Sequence, residues 1–336
     1  MKSLTTGRIA ALMVLALAVA AGFDLARDQR VPANVISATQ EGPTFLVPDS
    51  ELPPSVSIVV YGDMRFTDPS NTRLANPRAR RLLAEKVASE HPDAVELTGD
   101  VPYAGSNRAD YDEFRAETSE WRAENLRVFP ALGNHEMVGG AESLKNWWNA
   151  FPELNNRQWY SVQLGERIYL ITLYSNSDLL EGSPQMIWLK SQIAQIRKSV
   201  DFVFVVLHHP PVADRQTLTE VDHNPRRNEI ALRNYLSSVA PKSHAVFIVA
   251  AGHIHNYERF IVDGVTYLVS GGGGARPYLV ERTPADQYQT TDTVNFHYIL
   301  FRLDGKELSA TMYRLADPEA QTPEWQARDK FTIVSR

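Results

Sequence analysis

Five stretches of the chain repeat one pattern. An unbroken apolar run, rich in β-branched and aromatic residues, stops abruptly at a polar side chain. Ser57–Tyr61 runs into Gly62-Asp63, Ala94–Thr98 into Gly99-Asp100, and Val128–Leu132 into Gly133-Asn134-His135-Glu136. Phe202–Leu207 ends at His208-His209-Pro210, and Ala245–Ala251 at Gly252-His253-Ile254-His255. Such runs have the composition of strands buried on both faces. Imidazoles and carboxylates are expensive at the edge of a core unless something uses them. In open α/β sheets, sites assemble at the carboxyl ends of the strands.

Helical periodicity alternates with these runs. Asn76-Pro77 has the cap and first-turn residues of a helix start, and Leu82, Leu83 and Val87 give it an apolar face that ends before Pro92. The strands on either side are then expected to be parallel, with a right-handed crossover. Further helices are expected over 109–126, 141–150, from Ser183-Pro184 to about Lys198, and over 228–239. Residues 159–174 read as a hairpin, and 294–315 as an alternating hairpin turning at Asp304-Gly305. The polar stretch 213–227 reads as a long loop at a rim, and 265–270 as a strand running into Gly271–Gly274. The expected fold is α/β: two mixed sheets covered by helices, with the ligands at the carboxyl ends of the strands.

The flanks differ. Residues 1–23 carry Lys2 and Arg8, then an apolar stretch from Ile9 with Ala18-Val19-Ala20 as a small-x-small site. This is the pattern of an export signal, or of an N-terminal anchor if retained, and it implies a periplasmic or secreted protein. The proline-bearing stretch 24–55 reads as a linker or surface strap. The main globular domain is expected over 56–315, and 316–336 as a polar surface tail.

Composition narrows the chemistry. Hydrophobic residues are 43% of 336, enough for a large core, and the net charge is −6 with no long basic run. A nucleic-acid-binding surface is therefore not expected. With no cysteine, disulfides, thiolate metal sites and cysteine nucleophiles are excluded. Any metal must be held by oxygen and nitrogen. The strand ends supply Asp63, Asp100, Asn134, His208, His253 and His255. A pair of metal ions about 3.5–4 Å apart needs one bridging carboxylate and two or three private ligands each, a set of this size and type. For His253 and His255 both to reach the site the chain must turn, and Gly252 makes a turn cheap.

The ordered motifs Gly-Asp, Gly-Asp-x-x-Tyr, Gly-Asn-His-Glu, Val-x-x-His and Gly-His-x-His resemble the calcineurin-like metallophosphoesterases. Asp100-Val-Pro-Tyr103 and Gly252–Arg259 look most like the purple acid phosphatase branch. The resemblance implies a four-layer α-β-β-α sandwich and hydrolysis of small phosphate esters by a metal-bound hydroxide. It also implies two divalent or mixed-valence ions (iron, manganese or zinc). Asp63, Asp100 and His255 would hold the first metal, and Asp100 would bridge to a second completed by Asn134, His208 and His253. His135 would hydrogen-bond the phosphate or protonate the leaving alcohol, oriented by Glu136. One position departs from most of the superfamily: Arg65 stands where a histidine ligand is usual, and arginine cannot ligate a cation. Tyr103 sits at the spacing of the compensating tyrosine ligand and would favour ferric iron. Arg65 would instead pair with the phosphate, or form a salt bridge with a nearby carboxylate, and His223 in the rim loop could touch substrate. His209 is read as a neighbour of the ligands, and His91, His244 and His297 as structural. The alternatives are a phosphodiesterase of the same fold, or a relative that binds metal or phosphate without turnover. No protein partner is implied.

Overall fold

The long apolar runs become the central strands because most of their residues are buried on both faces. In the computed structural model, which describes residues 41–217, 223–290 and 295–336, two mixed sheets carry the chain. The first contains β1 (Phe45–Val47), β5 (Tyr160–Leu164), β6 (Ile168–Thr172), β7 (Phe202–Val206), β9 (Val246–Ala251), β10 (Tyr257–Val262) and β11 (Val265–Ser270). Their order is β1-β5-β6-β7-β9-β11-β10, and β6, β7, β9 and β11 run parallel. The second contains β2 (Val56–Tyr61), β3 (Ala94–Leu97), β4 (Val128–Pro130), β13 (His297–Asp304), β14 (Glu307–Leu315) and β15 (Trp325–Val334). Its order is β15-β14-β13-β2-β3-β4, with β2, β3 and β4 parallel. A small ribbon pairs β8 (Arg215–Thr217) with β12 (Leu279–Glu281).

The sheets pack face to face. Phe204 of β7 meets Phe301 of β13 edge-on, ring centroids 5.1 Å apart, and the Tyr160 hydroxyl on β5 donates to the Pro130 carbonyl on β4 at 3.0 Å. Helices cover the outer faces. Trp121 packs on Tyr61 of β2 and donates its indole N–H to Ala84 of the helix Pro77–Ser89. On the other side, Gln192 of the helix Pro184–Ala194 accepts from Ser161 and Tyr169. These layers are the α-β-β-α order that the family resemblance implied.

Several boundaries differ from expectation. The helix expected over 109–126 is two, Arg108–Glu117 and Ser119–Ala123. The Thr118 hydroxyl bonds back to the Phe114 carbonyl at 2.6 Å, which loosens the ladder there. The helix from Pro184 stops at Ala194 rather than 198. The rim stretch 213–227 is not all loop, since β8 lies in it and the helix Arg227–Val239 begins at its end; residues 218–222 lie outside the described ones. The surface strap includes β1, an edge strand on β5, and the rest of 24–40 and the export signal at 1–23 lie outside the described residues.

The tail 316–336 is corrected most. It holds β15, ten residues of which nine pair along β14. Its polar look hid period-two alternation: Asp329, Phe331 and Ile333 turn inward while their neighbours face solvent. Asp329 tolerates burial because Arg259 and the Tyr257 hydroxyl both donate to it.

Candidate metal centre

β2, β3 and β4 are neighbours in one sheet, and β7 and β9 in the other. Their carboxyl ends therefore meet across the sandwich and carry Asp63, Asp100, Asn134, His208, His253 and His255 into one place. The backbone there is unusual. Asp63, Asp100 and His253 have φ of 59°, 55° and 70°, the left-handed region that costs a non-glycine residue strain. Each turn is clamped by neighbours: the Asp63 amide donates to Gly99 at 2.9 Å, and the Arg65 amide to Asp100 at 3.0 Å. The turn after β9 is thus made by His253, not by Gly252 as expected. Gly252 serves closeness instead. A Cβ there would stand 2.4 Å from an Asp63 carboxylate oxygen, and one at Gly271 would stand 2.2 Å from the Ile254 carbonyl.

The six side chains face one another with lone pairs. The Thr98 carbonyl holds His208 through Nδ1 at 2.9 Å, which turns its Nε2 toward the other candidates. That Nε2 lies 3.2 Å from Asp100 Oδ1, 3.0 Å from Asn134 Oδ1 and 3.2 Å from His253 Nδ1. His255 likewise gives Nδ1–H to the Arg276 carbonyl at 2.7 Å, which aims Nε2 at Asp63 Oδ1, 3.4 Å away. Among the described residues, neither Asp63 Oδ1 nor His255 Nε2 has a hydrogen-bond partner, and both are buried. Acceptors gathered on acceptors, with the outer imidazole nitrogens held by carbonyls, fit a cation site with its orienting partners in place. Asp63, Asp100 and His208 each bring a ligand atom within 4.8 Å of the others, as do His208, His209 and His253.

Electrostatics agrees with this geometry. Burial, with the Asp100 charge adding to it, pushes Asp63 up to about 7. Burial would raise Asp100 as well, but His208, His135 and Arg65 outweigh it and hold it well below the usual carboxylate range. Two buried carboxylates this close cannot both ionise without positive charge between them. His209, His253 and His255 are pushed well below the usual imidazole range by burial first, then by His208 and His209 or, for His255, by Arg65. Neutral imidazoles are the form that binds metal.

The remaining candidates surround this core. The Arg65 guanidinium lies 3.3 Å from Asp100 Oδ2. His135 gives Nδ1–H to the Tyr103 carbonyl at 2.5 Å, and its Nε2 is 3.9 Å from Asp100 Oδ2. What Tyr103 contributes in this geometry is that carbonyl and a ring 5.3 Å from the His135 ring. Glu136 does not orient His135, contrary to expectation. The 3₁₀ turn His135–Met137 points successive side chains apart. The Glu136 carboxylate instead accepts the amides of Asp100, Val101 and Gly133, tying the second ligand loop to the third. His209 is held by Ser175 at 2.8 Å with its ring 4.3 Å from that of His253. The His223 ring lies edge-on to His253 (4.7 Å) and tilted against Tyr278 (5.1 Å).

Sequence reasoning missed three contributors: Tyr278, stacked on His255 at 4.1 Å, Ser175, and Asn176, which donates to the Gly133 carbonyl at 2.8 Å. None stands beside a ligand in sequence, so no spacing marks it.

A family model described as calcineurin-like phosphoesterase matches residues 56–257. The probable purple acid phosphatase 20 of Arabidopsis thaliana is 26% identical over 237 residues, 67% of this chain and 50% of that protein. The chain thus spans about half the length of that relative. A purple acid phosphatase from yellow lupin (Lupinus luteus) seeds superposes with a TM-score of 0.65 at 18% identity, over 86% of this chain and 55% of that one. A dimetal phosphatase from Danio rerio gives 0.56 at 15% identity, over 84% and 99%. At these identities the superpositions speak for the fold alone. The matched span contains all six ligand candidates and more than half of the residues, and the chain belongs to the calcineurin-like phosphoesterase family.

Proposed function

We propose that the chain is a metal-dependent phosphoester hydrolase, a phosphatase for small phosphate esters, holding two metal ions. The observation that carries this reading is the convergence of unprotonated nitrogens and carboxylate oxygens, above all Asp63 Oδ1 and His255 Nε2, buried without other partners. Asp63, Asp100 and His255 would hold one ion; Asn134, His208 and His253 would hold the other, with Asp100 shared. When bound, the ions would neutralise phosphoryl oxygens and lower the pKa of a water. The protein's own groups do the rest. His135, fixed through Nδ1 by the Tyr103 carbonyl, would deliver a proton from Nε2 to the leaving oxygen in its protonated form, which burial, lowering it to about 4, favours only at acid pH. Arg65 brings a cation to the side of the centre where a phosphoryl oxygen would be paired, and His223 flanks the same space.

An all-oxygen-and-nitrogen donor set suits iron, manganese or zinc. If the Tyr103 phenolate joins it, ferric iron is favoured. A visible absorption band lost in Tyr103→Phe supports that assignment, and a colourless, iron-free, fully active enzyme refutes it. Residues 1–23 support export to the periplasm or beyond. No helix among the described residues is long and apolar enough to cross a membrane. An N-terminus beginning after Ala20 in the exported protein would establish cleavage; an intact Met1 would favour an anchor.

The decisive experiment is release of nitrophenol from 4-nitrophenyl phosphate by metal-loaded protein. It is expected to proceed, and to stop when Asp100→Asn and Asn134→Ala are combined; survival in that double variant would overturn the site. The Arg65–Asp100 ion pair favours one competing reading, binding of a phosphorylated ligand without turnover. Under that reading phosphate binds but no nitrophenol appears. Comparison with bis(4-nitrophenyl) phosphate separates monoesterase from diesterase.

A further inference from the structure

Beside the metal centre lies an open cleft of about 610 Å³. One short segment forms both the edge of the centre and the wall of the cleft. The Ala275 amide donates to the Asp63 carbonyl at 2.8 Å, and the Arg276 carbonyl holds His255. The Arg276 side chain is exposed and lines the cleft. The opposite lip comes from the loop before the helix Pro77–Ser89. There the Asn76 amide donates to Gly274 at 2.7 Å, and the exposed Arg73 faces the same space.

The lining has two characters. Ala75, Phe296, Ala316 and Pro318 make an apolar floor. Arg73 and Arg276 bring guanidinium groups that form neither an ion pair nor a hydrogen bond among the described residues. The acids of the far wall are engaged: Glu319 accepts from Asn76 at 3.3 Å, and Asp317 accepts the Glu319 amide at 2.8 Å. An apolar floor under two uncommitted arginines suits a ligand with a flat apolar face and an anionic end.

We infer that this cleft is a leaving-group subsite for organic phosphates whose released part carries a second anionic group. This rests on the phosphatase reading of the adjoining centre. In the reaction it serves, water adds to phosphorus, the bond from phosphorus to the leaving oxygen breaks, and that oxygen takes a proton. The products are inorganic phosphate and the freed organic anion, which the cleft holds until it departs.

The test compares ADP, whose leaving group AMP has a planar base and a phosphate, with 4-nitrophenyl phosphate, whose leaving group has a planar ring but no second phosphate. Arg73→Glu is expected to raise KM for ADP about tenfold and leave kinetics on 4-nitrophenyl phosphate within about twofold. Arg73→Lys should recover most of the loss. KM values that stay unchanged for both substrates, or rise together, overturn the subsite. A second measurement does not need turnover. AMP is titrated by calorimetry into metal-loaded protein whose centre is saturated with inorganic phosphate. Binding that weakens about tenfold in Arg73→Glu supports the subsite, even if neither substrate is hydrolysed, in which case the phosphatase reading alone falls. Failure of AMP to bind the unaltered protein, or equal binding by the variant, overturns it.

Discussion

Glu96 and Asp100 are four residues apart, both fully buried, and their surroundings are opposite. Glu96 sits within β3, inside the sandwich, and neither carboxylate oxygen has a hydrogen-bond partner among the described residues. Burial alone pushes it well above the usual carboxylate range. Asp100 lies past the strand end, where the His135 amide, Arg65 and His208 surround it and keep it ionised. Burial is common to both. The difference is that β3 has ended before Asp100, where other segments bring it donors, while none reaches Glu96 within the strand. Here the strand interior holds an unpartnered acid and the strand end a candidate ligand.

That contrast can be broken most severely at Asp100. Asn accepts left-handed backbone well, so Asp100→Asn should keep the fold, checked by circular dichroism. It should cut hydrolysis of 4-nitrophenyl phosphate about 10³-fold, while Glu96→Gln changes the rate by less than about twofold.

The imidazoles repeat the comparison. His208 turns Nε2 toward Asp100 and Asn134. His297, buried between the Asn295 carbonyl and Ser270, is satisfied within the core. Burial lowers His297 from 6.5 to about 4. The unfolded chain therefore binds this proton more readily, and the stability His297 confers is complete above pH 6.5 and lost as pH falls toward 4. Up to about 3 kcal/mol of acid sensitivity should disappear in His297→Gln, read from denaturant midpoints between pH 4 and 7.

Glu96 has the reverse sign. Its raised pKa means that stability is full below about 4.5, the unfolded value, and declines as pH rises. Glu96→Leu should remove that decline and stabilise the protein by about 1–2 kcal/mol at pH 8, measured as a higher Tm; an unchanged Tm would mean that Glu96 has found a partner. The smallest effect is expected at Glu136, which touches no ligand side chain but holds three amides. Glu136→Gln should weaken metal binding about tenfold, measured by competition with a chelator.

Sequence patterning reached the sheets and the ends of β2, β3, β4, β7 and β9 because continuous apolar runs have few other structures open to them. It misread β15, where Asp329 looks like a surface residue until Arg259 and Tyr257 arrive from β10. It misassigned Glu136 because neighbours in sequence need not be neighbours in space: one 3₁₀ turn separates it from His135. Tyr278 and Ser175 left no trace in any spacing.

The sequence by itself determined which residue types stand at the ends of buried strands, since hydrophobic periodicity and glycine placement are local properties. Tertiary structure alone decided which nitrogen of each histidine faces inward, which carboxylates are charged, and that Arg65 lies against Asp100. Those depend on carbonyls such as those of Thr98 and Arg276, carried in from distant segments by the packing of one sheet on the other.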